Sequence, residues 1–169
     1  GLGRFIFEYP DRFPFSDECL AAEHSIEILK NWLKQCFEIQ KPIIPDKEAI
    51  SSLIGLGPGL TPSGDDFLGG MLIALHICGK KSVKKNLFVQ IESLIDSTGP
   101  VSRTHLFAAA HGEGSHSLHQ LINYLLEGND AHLESSIAAI DRIGHTSGWD
   151  ALAGVVVVLR QLVATSRST

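Results

Sequence analysis

No continuous helix can run through residues 54–70, and that interruption dictates how the rest of the chain is laid out. The stretch reads Ile-Gly-Leu-Gly-Pro-Gly-Leu-Thr-Pro-Ser-Gly-Asp-Asp-Phe-Leu-Gly-Gly and lies between two apolar helical runs. Gly55, Gly57 and Gly59 permit backbone conformations that strain other residues, while Pro58 and Pro62 fix φ and remove helical donors. Helix can resume only after Pro62. Ser63 then suits the N-cap, with Asp65 and Asp66 in the first turn, where the helix dipole favours negative charge. The sequence therefore calls for a shaped loop that delivers backbone N–H groups at a helix start. Such a place accepts an anion or poises a catalytic carboxylate.

Part of this pattern returns later in the chain. Ser63-Gly64-Asp65-Asp66-Phe67-Leu68-Gly69-Gly70 aligns with Ser147-Gly148-Trp149-Asp150-Ala151-Leu152-Ala153-Gly154, in the form S-G-x-D-x-L-x-G. An internal pseudo-repeat of this kind places two similar loop-to-helix junctions in one fold, facing each other.

Around these segments the periodicity is helical. Residues 3–9 have strand composition up to Pro10, and a lone strand needs a partner from elsewhere. Ser16 or Asp17 opens a helix to about Ile39, with Ala22, Ile26, Leu29, Leu33, Cys36 and Phe37 on one buried face. Asp46 opens a short helix through Leu53, and the run from Ser63 to Cys78 is apolar nearly all round, as in a helix at the centre of a bundle. Further helices are expected from Ser82, from a Ser102 cap to Gly112, from Ser115 to Gly128, after Asn129 or Asp130, and from Ser147 to Val163. The expected fold is mostly α, a single helical-bundle-like domain with a short N-terminal strand. Residues 1–15 are extended, 16–163 form the helical core and 164–169 fray. The only methionine is Met71, and an opening Gly-Leu-Gly without an initiator reads as the C-terminal part of a longer chain.

Composition narrows the partners. A net charge of −5 without a basic run argues against nucleic acid. The longest apolar run, residues 151–159, is too short for a membrane span, and no signal peptide is present. Cys19, Cys36 and Cys78 sit in apolar helical patterns and read as thiols in a reducing, cytoplasmic setting.

The bland reading of both S-G-x-D segments is a cap, since Ser63 and Asp66, like Ser147 and Asp150, have capping-box spacing. A cap explains neither the alternating glycines nor the second carboxylate. Gly57, Gly59, Thr61, Ser63, Gly64 and Asp66 are therefore candidate substrate-binding residues, with Ser147 and Asp150 as their counterparts. Asp65 is the candidate base or metal ligand, because a bare carboxylate would repel an anion. Ser102 and Arg103 follow Gly99-Pro100 in a crowded helix start and offer a second anion contact, or Ser102 is only a cap. His145 precedes the second S-G-x-D and is the candidate acid or hydrogen-bond donor. His111, His116 and His119 lack the flanking acid or cysteine of a zinc set, so no metal ligands are assigned. Mg²⁺ held by the carboxylates is the cation that would suit the site.

Residues 55–66, with 97–102 and 144–150, resemble the signature of a bacterial domain family that includes a subunit assigned to oxamate carbamoyltransferase in anaerobic allantoin degradation. The resemblance covers roughly residues 49–159. It implies a cytoplasmic protein acting with other subunits, or as a homo-oligomer, on oxalurate, oxamate, carbamoyl phosphate and phosphate. Carbamoyl transfer passes through a tetrahedral oxyanion that preorganised N–H donors stabilise. Two other classes compete with this transferase reading. One is a metal-dependent hydrolase using Asp65, Asp66 and Asp150; the other is a non-catalytic scaffold whose glycines only allow close packing.

Overall fold

The computed structural model describes residues 1–6, 17–144 and 146–166. Pro62 sets the start of the central helix: it occupies the cap position with φ −53° and ψ 145°, and helix runs from Ser63–Ile77. The α-helices are α1 (Asp17–Glu38), α2 (Lys47–Ser51), α3 (Ser63–Ile77), α4 (Lys81–Glu92), α5 (Pro100–Ala110), α6 (His116–Glu127), α7 (Leu133–Ile140) and α8 (Ser147–Ser166). Among the described residues there is no strand.

The all-α expectation holds, and α3 is the centre. Phe67, Leu68, Met71, Leu72 and Leu75 are fully buried, each contributing roughly 2 kcal/mol of gross hydrophobic stabilisation. Helices α8, α5 and α4 pack around α3, while α1 lies on α8 and α6 lies mainly on α7. The α1 stripe of Ala22, Ile26, Leu29, Leu33, Cys36 and Phe37 is buried as the spacing requires. α8 has the length and hydropathy of a membrane span, yet here its apolar residues pack into the core.

Several boundaries differ from the sequence reading. Residues 3–6 form a 3₁₀ turn instead of a strand, and residues 7–9 lie outside the described residues. The turn satisfies what a lone strand would leave open: Phe5 N–H donates to Leu2 C=O at 3.1 Å, and the Arg160 guanidinium donates to the Phe5 and Ile6 carbonyls at 3.4 and 2.7 Å. Ser102 is no cap, because α5 begins at Pro100 behind Gly99. Ser63 is the first helical residue of α3, and no side chain caps that helix. α8 continues past Val163 to Ser166, with the Thr165 and Ser166 hydroxyls donating to Gln161 and Leu162 carbonyls at 2.8 and 2.9 Å.

The two S-G-x-D junctions are built on one plan. Leu56 N–H donates to Leu53 C=O at 2.9 Å and Gly64 N–H to Leu56 C=O at 3.0 Å; Ile143 to Ile140 and Gly148 to Ile143 repeat this at 2.9 and 3.1 Å. In both, the glycine lies against the first carbonyl, so that a β-carbon at Gly64 would sit 1.9 Å from Leu53 O and one at Gly148 would sit 2.3 Å from Ile140 O. Farther along, the two helices cross through glycine reciprocally. A β-carbon at Gly70 would meet Ala151 O at 1.9 Å, and one at Gly154 would meet Phe67 O at 2.0 Å. Aligned residues thus exchange roles across the crossing, as in a local twofold.

Candidate functional site

The crossing brings the starts of α3 and α8 together. Thr61 Oγ1 and Ser147 Oγ are 2.9 Å apart. Beside them opens a pocket of about 550 Å³, walled by α5 through Ser102, His105 and Leu106, and by α6 through Leu118. Thr61, Asp65, Asp66, Ser102 and Ser147 all line it. Residues far apart in sequence are therefore gathered at one place.

Asp65 is buried and fully engaged. Its Oδ1 accepts the Gly55 N–H at 2.9 Å, and its Oδ2 accepts the Thr98 and Ser102 hydroxyls at 2.5 and 2.7 Å. One carboxylate thus ties the glycine loop, the turn before α5 and α5 itself to the first turn of α3. Gly55 has φ +75°, and a β-carbon there would lie 2.7 Å from Ser97 O, so the loop passes this point only as glycine.

Asp66 is placed differently. Its Oδ2 is buried and has no hydrogen-bond partner among the described residues. Burial is the main reason its carboxyl is pushed up to about 7; the Asp150 and Asp65 charges act in the same direction, while the neighbouring Ser147 and Thr61 hydroxyls oppose them. Those hydroxyls lie beside the carboxyl without bonding Oδ2. Asp150, the counterpart of Asp66, is fully buried, accepts the Leu2 N–H on Oδ1, and also keeps an unpartnered Oδ2. It stands behind the pocket wall and does not line the cavity.

Other candidate residues serve the framework. Gly57 and Gly59 have φ +108° and +97°, and a β-carbon at Gly57 would lie 3.1 Å from Ser63 N. Neither glycine lines the pocket, nor do Ser63 and Gly64. The Gly64 N–H is spent on Leu56 C=O, and the Asp65 and Asp66 N–H groups donate to Pro62 C=O at 3.0 and 3.1 Å. Side chains, not these loop amides, face the cavity. Arg103 is held away from it, with Nε donating to Thr98 C=O at 2.9 Å and Nη1 to Asp96 Oδ1 at 2.6 Å. His145 lies outside the described residues. Among those described, no group of three or more His, Cys, Asp or Glu side chains is arranged to share a metal ion.

His105, Leu106 and Ala109 line the pocket without having been singled out as site residues. Their signal is present in the sequence: with Ser102 they follow the i, i+3, i+4, i+7 spacing of one helix face. Leu118 and Ile143 carried no such signal, because only the packing of α6 and the second junction brings them here.

No solved structure matches the chain. A family model described as oxamate carbamoyltransferase subunit AllH matches residues 53–159, which include both helix junctions and every residue that lines the pocket. The match spans more than half of the sequence, and the chain belongs to the AllH family.

Proposed function

We propose that the pocket between the α3 and α8 starts binds the small carbamoyl-bearing substrate of a carbamoyltransferase complex in which this chain is a subunit. The family assignment supports the role of a subunit of oxamate carbamoyltransferase and, with it, association with other protein subunits. The location of the site rests on one observation: Thr61, Asp65, Asp66, Ser102 and Ser147, drawn from both helix junctions and from α5, line a single cavity of about 550 Å³.

The arrangement also suits an anionic substrate. A neutral Asp66 does not repel a carboxylate, and the Thr61 and Ser147 hydroxyls supply donors beside it. The apolar wall of Ile73, Leu106, Leu118 and Ile143 keeps water from the bound molecule and strengthens each polar contact.

The test is to fill the cavity. Ala108→Trp, on the α5 wall, is expected to abolish oxamate-dependent turnover by the assembled complex while subunit co-purification is retained. Undiminished turnover would reject the pocket and leave the scaffold reading, which the tight glycine contacts of the crossing favour on their own.

A further inference from the structure

We propose that a second cavity, at the far ends of α3 and α8 from the substrate pocket, binds a small organic phosphate: a phosphorylated molecule with an apolar body, of the size of a mononucleotide. The cavity measures about 730 Å³ and is walled by the end of α1, the residues just after it, the α3–α4 turn and the last turns of α8. The two cavities share no wall residue. On α8 their nearest wall residues are Ala151 and Leu162, roughly 16 Å apart along the helix axis. A ligand here is held well apart from the chemistry at the other end of the helix pair.

The charge at this cavity carries the inference. The chain has a net charge of −5, yet Lys41, Lys80 and Lys81 stand together on one cavity wall. None of the three forms an ion pair among the described residues. Glu38 brings a carboxylate to the same wall, but it is paired with Lys34, one turn back on α1, at 3.8 Å. Like charges gathered around a concavity focus their field into it and draw in an anion. The lysine ammonium groups and the Ser82 hydroxyl are donors that suit phosphate oxygens. The wall also includes Phe37, Pro42, Val83 and Leu162, and Lys80 Nζ lies 5.5 Å from the centre of the Phe37 ring. Cationic and apolar groups thus meet in one cavity. Free phosphate would use only the first kind, and a neutral apolar molecule only the second. The volume is that of a small-molecule site, not of the flatter face that a macromolecule covers. A merely structural role, in which the lysines complement the C-terminal ends of α1 and α3, predicts no ligand at all.

Isothermal titration of the full-length chain, without divalent cations, separates these readings with three probes. ADP should bind at one site per chain. Adenosine, which lacks the phosphates, and pyrophosphate, which lacks the apolar body, should each bind at least about tenfold more weakly. Lys80→Gln combined with Lys81→Gln changes two exposed positions and leaves the core intact; it should weaken ADP binding by about 30-fold. Lys41→Gln should weaken it by roughly fivefold. Ala108→Trp, in the substrate pocket, should leave ADP affinity unchanged. No saturable ADP binding by the wild type, affinity that survives the lysine substitutions, or affinity lost in Ala108→Trp overturns the second site. Adenosine or pyrophosphate bound as tightly as ADP overturns the organic-phosphate class.

Discussion

Asp65 and Asp66 are adjacent in sequence and chemically unlike. Each is a first-turn aspartate, but Asp65 is surrounded by donors, whereas at Asp66 burial and the other carboxylates outweigh the Ser147 and Thr61 hydroxyls. The raised pKa of Asp66 has a consequence for stability. Between about pH 4 and 7 the folded chain keeps a proton that the unfolded chain has released, so stability falls as pH rises through that window. The penalty is complete above pH 7 and amounts to up to about 4 kcal/mol for a shift of this size. Asp66→Asn removes it. The variant is expected to gain on the wild type in urea unfolding at pH 8 and to gain little at pH 4. A difference between the two proteins that is the same at both pH values would contradict the assignment.

Helix α3 shows how one element serves both packing and site. Its far turns are apolar apart from the exposed His76, and glycine stands at Gly64 and Gly70, where a neighbour's backbone intrudes. Gly70→Ala places a methyl 1.9 Å from Ala151 O, a backbone atom that yields only if α3 and α8 separate. The expected cost is about 3 kcal/mol or more, read from denaturant unfolding, with Gly154→Ala showing a similar loss. Gly59→Ala meets nothing within 4 Å and pays only for its positive φ, about 1 kcal/mol. The helices and their buried stripes were legible because apolar spacing survives in any tertiary setting. The S-G-x-D repeat was legible for the same reason, since close backbone approach demands glycine at fixed positions. The partners of the polar residues were not. The bonds from Thr98 and Ser102 to Asp65 join two separate segments, and local capping chemistry predicts the same serine for a different reason. The loop amides looked available to an anion only because the Leu56 and Pro62 carbonyls that occupy them cannot be read from composition.

On the scale of the whole molecule, the pocket has one stiff side and one lightly held side. The stiff side is the α3–α8 crossing, buried and interlocked at Gly70 and Gly154. The other is α6, which packs chiefly on α7, exposes Leu125 and Leu126, and follows a linker containing Gly112 at φ +84° and Gly114. Hydrogen exchange should rank these accordingly, with amides at the crossing protected up to global unfolding and those of α6 and α7 opening well before it. Uniform protection across all four helices would contradict this order. Two helices that touch backbone to backbone cannot slide or tilt without colliding, so the crossing acts as a fixed jamb. Any widening of the cavity therefore falls to its other walls, α5 and α6.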